Sequence, residues 1–386
     1  MHFAEGVSYV IEYRTFRNSD PPQVAELWEN CGLGRGAAGN LRTDAFEYLN
    51  FAQPYFDRHG LILACHEDNV IGMVHAGFGV NEEQDNIDRQ TGVICVVMVH
   101  PDYRRRGIGR ELVQKAETYL RDSGVTTIFA GQAEPLDSFY FGMYGGSQPS
   151  GFLLSDTAAD PFFRAIGYAP FERHAVFQRD LCNKTDPVNM RLASVRRKTQ
   201  LAIAYQRQPL AWWWITRLGR LDTVRFHLVG RGDNVPVAEV TVLGLDLYLD
   251  RWQERAIGLT NLEVADSERQ QGYGQALLIE VCRRMREEMV TRVEAHASET
   301  NVAAMATLNS AGFERVDTGI VYRLLEEGET PDDLGASEEA DSDSVPFDDG
   351  ETAVQPPVFK QQSGEGETTL TDIGDLIDDD RPTEIS

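Results

Sequence analysis

Long hydrophobic runs and paired cysteines are both missing from this 386-residue sequence. No segment approaches the ~18 consecutive apolar residues of a membrane helix, and the N-terminus lacks the basic stretch and apolar run of a secretion signal. The five cysteines are widely spread without a CxxC spacing, and neither they nor the histidines show metal-ligand spacing. We therefore expect a cytoplasmic protein with free thiols, no metal and no membrane partner.

Basic residues are scarce, with 36 Lys and Arg against 61 Asp and Glu, and the formal net charge is -25. Residues 326–386 hold 20 of the acidic residues and two basic ones, so this tail carries -18 and the rest of the chain only -7. A modestly acidic body offers no general attraction to nucleic acid. The length and the 42% hydrophobic content suit two or three globular domains.

The tail 326–386 is rich in Asp, Glu, Ser, Gly, Thr and Pro and poor in apolar residues. Such a segment cannot bury enough surface to offset its ordering entropy, so we predict that it is disordered. Leu370, Ile373 and Ile377 fall at helical spacing within it, which would suit a helix that binds a protein partner. The alternative is an acidic tail that only aids solubility.

The motif Arg-x-x-Gly-x-Gly occurs twice, 165 residues apart. The copies are Arg104-Arg105-Arg106-Gly107-Ile108-Gly109 and Arg269-Gln270-Gln271-Gly272-Tyr273-Gly274. Each lies between a strand-like run and an amphipathic helix. A turn of this kind presents backbone N–H groups and the positive end of a helix dipole to an anion, and glycine lets the backbone approach closely. The pattern predicts two pyrophosphate-binding turns.

The similarity between the two copies extends beyond the glycines. Apolar residues follow at identical offsets, which predicts one buried helical stripe in each copy: Ile108, Leu112, Val113, Ala116 and Leu120, and Tyr273, Leu277, Leu278, Val281 and Met285. Strand-like runs flank both helices: Val93 to Val99 and Val125 to Ala130, then Ala256 to Val264 and Val293 to Ala297. A repeat this long indicates two sister domains rather than a solenoid. We place them at 8–180 and 200–325, joined by a linker at 181–199.

Residues Val99 to Gly109 resemble the acetyl-CoA signature of the GNAT superfamily of N-acetyltransferases. Residues Asn301 to Phe313 resemble the next conserved segment of that superfamily, and the duplicated order resembles tandem GNAT proteins of the mycothiol synthase type. One such motif is weak evidence, whereas two at matching positions are specific. The resemblance implies an α/β (α+β) fold with two tandem acyl-CoA N-acyltransferase domains, each a mixed, mostly antiparallel sheet flanked by helices.

By this resemblance both halves would bind acetyl-CoA. The pantetheine arm would pair with the backbone of Val97 to Val99 and of Leu262 to Val264, where strands four and five separate. The remaining residues implied in cofactor binding are Arg104, Arg105, Arg106, Gly107, Ile108, Gly109 and Arg110 in the first half, and Arg269, Gln270, Gln271, Gly272, Tyr273, Gly274, Gln275 and Asn301 in the second. A dinucleotide site is disfavoured, because its G-x-G-x-x-G follows the first strand and here the first glycine is an arginine.

The implied reaction is direct attack of a neutral primary amine, on a small molecule or peptide, on the acetyl thioester in a ternary complex. Many members of the superfamily use a tyrosine to protonate the thiolate, but Phe163 and Leu308 stand at those positions. A carboxylate near the start of strand four serves as base in some branches, and Val93 and Gly258 occupy the approximate equivalents. Catalytic residues therefore cannot be transferred by motif.

A local candidate for proton transfer exists in the second half. Glu294, His296 and Ser298 alternate along a predicted strand and so share one face of the sheet. Glu294 and His296 could relay the amine proton. Alternatively, Glu294 pairs with Arg292 or Arg315 and His296 is a satisfied polar residue. The pair makes the second half the expected catalyst, with the first half a second site or a structural remnant.

Three further features of the sequence each have two interpretations. His100 could act as a base or lie exposed in a loop, and Tyr140 and Tyr144 could line an acceptor pocket or pack their loop. Trp212 to Trp214 should place at least one ring at an interface, most simply between the two halves and otherwise in an acceptor cleft. Because the family tyrosine is missing from both halves, the alternative function is a CoA-binding regulatory or scaffold protein that has lost catalysis and recruits a partner through its tail.

Overall fold

The computed structural model describes residues 10–204 and 211–334. The tail prediction lies outside these residues from 335 onward, as does the predicted partner helix at Leu370 to Ile377. The first part of the predicted tail does have defined structure, because Arg323 binds Glu329 through both carboxylate oxygens (2.7 and 2.9 Å) and a 3₁₀ turn spans Pro331–Leu334. Within the two described ranges, no helix has the length and hydropathy needed to cross a bilayer.

The strands of the described residues are β1 (Ile11–Thr15), β2 (Leu61–His66), β3 (Asn69–Val80), β4 (Ile87–Val99), β5 (Thr127–Ala130), β6 (Phe152–Leu153), β7 (Tyr168–Asp180), β8 (Thr199–Ile203), β9 (Thr223–Gly230), β10 (Pro236–Gly244), β11 (Ala256–Val264), β12 (Arg292–Ser298) and β13 (Glu314–Leu324). The helices are α1 (Pro21–Asn30), α2 (Thr43–Phe46), α3 (Ile108–Asp122), α4 (Ala159–Ala165), α5 (Met190–Lys198), α6 (Trp212–Leu218), α7 (Leu249–Trp252), α8 (Tyr273–Glu287) and α9 (Val302–Ser310). A π-helical turn at Glu47–Phe51 continues α2. The segment predicted as a linker, 181–199, therefore contains α5.

The strands form one continuous sheet in the order β1-β2-β3-β4-β5-β13-β7-β12-β11-β10-β9-β8, with β6 beside β13. Strand pairing is antiparallel except for β4 with β5 and β11 with β12. Each half is thus a mixed, mostly antiparallel sheet flanked by helices, and the predicted fold class is confirmed. The two parallel pairs occupy equivalent positions in the two halves.

The last strands of the two halves are exchanged. β7, from the first half, pairs with β12 and β13 of the second half, while β13 pairs with β5, β6 and β7 of the first half. Among the described strands, each last strand therefore has neighbours only from the other half. The boundaries 8–180 and 200–325 remain predictions from the repeat, and the sheet pairing crosses them, because the described residues 10–204 and 211–334 belong to one compact unit.

Most residues of the helix stripes predicted from sequence are buried. All five stripe residues of α3 are buried; in α8, Leu277, Leu278 and Val281 are buried, whereas Tyr273 and Met285 are half-buried. Both helices cover one face of their half of the sheet, where they pack on the apolar side chains of the central strands. This packing fixes the N-terminus of each helix beside the end of β4 or β11.

The halves meet through an insertion at 131–151 and through α6. Tyr140 packs in the first-half core, while its neighbour Phe141 packs with Leu243 and Tyr248 of the second half. Trp213 in α6 is fully buried (0% exposed), and its ring lies 5.3 Å from that of Tyr55 in the first half. The predicted packing of the tryptophans between the halves is thus confirmed for Trp213.

Candidate active site

The two glycine turns have the same backbone conformation. Arg105 and Gln270 have φ values of 63° and 62°, and Gly107 and Gly272 have values of 83° and 88°. Both glycines directly precede the first residue of a long helix, α3 or α8, so the helix N–H groups open onto the turn. The left-handed arginine and glutamine were not anticipated from the sequence, because such a conformation normally favours glycine.

The first arginine of each motif supports its turn. Arg104 Nε donates to the carbonyl of Val99 at 3.0 Å, and a second nitrogen of Arg104 donates to the carbonyl of Cys31. In the second half, Arg269 Nε donates to Val264 at 3.3 Å. Each arginine thus fastens its turn to the last carbonyl of the preceding strand. In the first half, the bond from Arg104 to the carbonyl of Cys31 also holds the end of α1 against the turn.

Strands β4 and β5 separate beside the first turn. Their parallel ladder runs from Thr91↔Thr127 to Ile94↔Ala130, where β5 ends, while β4 continues for five residues. A cavity of about 620 Å³ lies beyond this point, a volume within the usual range of small-molecule sites. Its lining includes the predicted residues Val97, Val99, Arg104, Arg105, Gly107, Ile108, Gly109 and Arg110, together with residues of α4 and Cys31, Leu33, Phe152 and Asp156. Predicted Arg106 is not among the lining residues and donates to the carbonyl of Asp102 at 2.9 Å.

Two ionisable side chains of the cavity lining, Cys31 and Asp156, lie near Arg104 of the first turn. Burial raises the pKa of the Cys31 thiol to about 11, although Arg104 acts in the opposite direction. Burial also raises the pKa of Asp156, against the hydrogen bond that the backbone N–H of Ala158 donates to it (3.2 Å) and the charge of Arg104. Sequence reasoning missed both residues as parts of this site.

Phe163, at the position of the family tyrosine, is fully buried. Its ring stacks on Phe152 with centroids 4.7 Å apart and on Tyr322 with centroids 5.2 Å apart. Phe163 and Phe152 form an apolar wall of the cavity. Phe163 therefore shapes the wall of the cavity and cannot donate a proton.

The second turn is partly covered by α5. The side-chain stem of Arg191 lies where a Cβ on Gly272 would come within 3.2 Å of its Cδ, and its guanidinium donates to the carbonyl of Gln270. In contrast, a Cβ on Gly107 would meet no described atom within 4 Å. The β11 and β12 ladder ends at Leu259↔Ala295, so the strands also separate here. Of the two turns, the first is the more open.

Glu294 and His296 are brought together as the strand alternation predicted, with His296 Nε2 3.2 Å from Glu294 Oε1. Both side chains are buried, at 2% and 0% exposure. Glu294 accepts hydrogen bonds from Gln178 Nε2 (2.6 Å) and Ser147 N (3.2 Å), and Arg35 lies 3.5 Å away. Burial alone would raise the pKa of Glu294, but the hydrogen bond from His296 and the nearby Arg35 lower it overall.

The insertion of the first half encloses this pair. His296 Nδ1 lies 2.6 Å from the buried Ser150 Oγ, and a Cβ on Gly258 would come within 2.6 Å of Ser147 Cβ. Glu294 and His296 thus belong to the interface between the halves, which favours the structural alternative. The arginine beside Glu294 is Arg35 from the first half, whereas Arg292 and Arg315 pair with Glu254 and Glu299.

The remaining sequence candidates have local partners. His100 Nδ1 accepts from the backbone N–H of Asp102 at 3.3 Å, at the start of a 3₁₀ turn. Tyr140 Oη lies 3.0 Å from Nδ1 of the buried His75, and Tyr144 Oη accepts from the backbone N–H of Leu153 at 3.1 Å. Both tyrosines therefore pack their loop. For Tyr144 the packing includes Phe152, a wall residue of the cavity.

Comparison with known proteins matches both halves of the chain to one protein family. The model of the acetyltransferase (GNAT) family matches residues 23–143 and 198–313. An acetyltransferase of Sodalis glossinidius is 29% identical over 147 residues, which is 37% of this chain and 93% of that protein.

The fold is also found in solved structures. A tandem GNAT protein from the clavulanic acid biosynthesis pathway matches with a TM-score of 0.58 and 19% identity, over 81% of this chain and 98% of that one. A glucosamine N-acetyltransferase region of a fungal β-N-acetylglucosaminidase matches with a TM-score of 0.60 and 16% identity, over 82% of this chain and 38% of that one. The family match covers more than half of the chain. The chain therefore belongs to the GNAT acetyltransferase family, with two copies of the family fold in tandem.

Proposed function

We propose that this protein is an N-acetyltransferase whose first half binds acetyl-CoA and transfers the acetyl group to a primary amine of a small molecule or peptide. The cavity of about 620 Å³ beside the first glycine turn carries this proposal. It joins a turn rich in backbone donors and arginine at one end to a gap between β4 and β5 at the other. An elongated thioester with an anionic end needs both features.

The cavity suggests how acetyl-CoA is held. The N–H groups at the start of α3 and the exposed Arg105 and Arg110 would contact the diphosphate. The free edge of β4 at Val97 and Val99 would pair with the pantetheine amides. The thioester would then lie toward Phe152 and Cys31 in the cavity lining. The corresponding residues of the second half remain predictions for a second acetyl-CoA site.

The chemistry of Cys31 favours direct transfer. With a pKa of about 11 its thiol is protonated near neutral pH, and the thiolate is the nucleophilic form of cysteine. An acyl-enzyme through Cys31 is therefore disfavoured. The amine nitrogen would attack the thioester carbonyl within a ternary complex, and the carbon–sulfur bond would break as the carbon–nitrogen bond forms.

The roles of the two halves are reversed relative to the expectation from Glu294 and His296. That pair is buried under Ser147 and Ser150, while the first turn opens into the cavity. In this proposal the second half completes the sheet of the first half through β13. Glu294 and His296 would then have a structural role, because they hold the insertion at 131–151 through hydrogen bonds with Ser147 and Ser150.

Matched variants of the two glycines test this assignment. Gly107→Glu and Gly272→Glu both introduce a carboxylate at a left-handed position with similar φ, so their backbone strain should be similar. Turnover of acetyl-CoA is measured with a panel of amino sugars, polyamines, aminoglycosides and peptides with free N-termini. We expect Gly107→Glu to abolish turnover through repulsion of the diphosphate, and Gly272→Glu to retain it.

Three other results would change the conclusion. Loss of turnover only in Gly272→Glu would return catalysis to the second half. Tight acetyl-CoA binding by calorimetry without turnover on any amine would support the scaffold alternative. Equal loss in both variants, with an unchanged thermal unfolding temperature, would mean that both turns are needed.

A further inference from the structure

One acidic side chain faces the proposed acetyl-CoA cavity. Among the described residues that line it, Asp156 is the one carboxylate, in a lining that also carries Arg104, Arg105 and Arg110. Asp156 lies just before α4, on the side of the cavity where Cys31 and Phe152 also lie. It is half-buried, so it remains accessible from the cavity.

Asp156 occupies the position that Asn301 has in the second half. Each residue stands eleven positions before the glycine of a Gly-aromatic pair, Gly167 or Gly312. Asp156 accepts a hydrogen bond from the backbone N–H of Ala158, two residues on and just before α4, at 3.2 Å. Asn301 directly precedes α9 and accepts one from the backbone N–H of Ala304, three residues on, at 3.0 Å. At this spacing, the first half thus has a carboxylate where the second half has an amide.

The charged and titratable groups around Asp156 come from separate elements. Arg104 of the glycine turn stabilises its anion, and the Cys31 thiol and the Tyr144 hydroxyl are close enough for the Asp156 charge to raise their pKa values. Asp317 of β13 binds the backbone N–H of the adjacent Ser155 at 3.3 Å. Asp317 and Tyr144 are not among the residues that line the cavity, and the thiol of Cys31 is a weak acid whose pKa is raised, so Asp156 is the carboxylate that the described lining offers as a proton acceptor.

We propose that Asp156 accepts the proton of a cationic amine substrate and thereby selects alkylammonium acceptors for the first half. This inference rests on the proposed function. The ammonium nitrogen gives one proton to the carboxylate, and its freed electron pair forms the bond to the acetyl carbon. The carbon–sulfur electron pair leaves on the sulfur, the second proton of the nitrogen passes to that thiolate, and Asp156 returns its proton to water.

The variant Asp156→Asn tests the proposal. Asparagine keeps a side-chain oxygen that can accept the backbone hydrogen bond from Ala158, so the variant should fold. The control is Asp160→Asn, the same substitution on α4, where the carboxylate binds Arg164 and Tyr322 away from the cavity lining. The probes are the best alkylamine from the amine panel and hydroxylamine, which is largely neutral at pH 7.5.

For the alkylamine we expect kcat/KM of Asp156→Asn to fall about 100-fold or more, the usual effect of removing a general base. The acid limb of the pH profile should disappear with it. Turnover of hydroxylamine and the dissociation constant of acetyl-CoA should stay close to those of the Asp160→Asn control.

Two results would overturn the role of Asp156 while leaving the proposed function intact. One is an Asp156→Asn variant that keeps the acid limb and the alkylamine kcat/KM. The other is a loss that is equal for alkylamine and hydroxylamine and is matched by weaker acetyl-CoA binding, since Asp156 would then be a cofactor contact. Failure of the unchanged protein to acetylate any amine would instead reject the proposed function.

Discussion

Replacing Asp186 with asparagine should destabilise the protein strongly at neutral pH. Asp186 lies between β7 and α5 and binds three arginines: Arg179 on β7 (2.6 Å), and Arg283 and Arg286 on α8 (2.6 and 3.2 Å). The Arg179 side chain is fully buried (0% exposed). The substitution removes the negative charge that compensates this buried cation.

The expected cost follows from that burial. Removing one partner of a buried ion pair typically costs about 3 to 5 kcal/mol. Asparagine keeps one acceptor oxygen, so we expect the lower value, about 3 kcal/mol, which is about a 150-fold change in the folding equilibrium at 1.36 kcal/mol per tenfold. The free energy of unfolding is measured by urea denaturation at pH 7. The control is Glu314→Gln, which breaks an exposed pair with Lys184 and should cost less than about 1 kcal/mol.

The pH dependence provides a second check. Burial alone would raise the pKa of Asp186, but its hydrogen bonds with Arg283 and Arg286 and the charge of Arg179 lower it overall. The stabilisation is therefore fully present above the unfolded-state pKa of about 4 and is lost as the pH falls through the lower folded-state pKa. The difference between the unchanged protein and Asp186→Asn should narrow below about pH 4. A variant as stable as Glu314→Gln at pH 7 would refute the reasoning.

Three other changes have defined outcomes. Glu294→Gln should lower the free energy of unfolding by about 3 kcal/mol through loss of a buried charge, measured by urea denaturation; a large loss of turnover without destabilisation would instead support catalysis by Glu294. Trp213→Ala should cost about 3 to 5 kcal/mol because it leaves a cavity between the halves, and a thermal unfolding temperature equal to that of the unchanged protein would contradict this packing. Cys31→Ser should retain acetyl transfer in a thiol-release assay, whereas trapping of an acetylated Cys31 by mass spectrometry in the unchanged protein would contradict direct attack.

Local patterns predicted much of each half. The helix stripes of α3 and α8 and the bounds of β11 follow from residues close together in sequence, whose periodicity directly reflects burial on one face. The glycine turns were found because their function requires a particular residue type at a particular spacing. Their backbone conformations then repeat closely between the halves.

Pairings between distant segments could not be found in this way. Arg35 lies 259 residues before Glu294, and no local pattern indicates that the two meet. The exchange of β7 and β13 also leaves no local signal, because a strand has the same alternation beside either neighbour. Asp156 did have a signal, namely its spacing of eleven residues to Gly167, which equals that of Asn301 to Gly312.

The exchanged last strands have a consequence for biosynthesis. The first half emerges from the ribosome before β13 has been translated. The edge of β5 therefore lacks this neighbouring strand until residue 324 has been added to the chain. Unpaired strand edges promote aggregation of nascent chains. The sheet around the site that we assign to the first half is thus completed only when nearly all of the sheet-forming chain has emerged. A nonsense mutation before β13 would therefore remove a strand that both halves share.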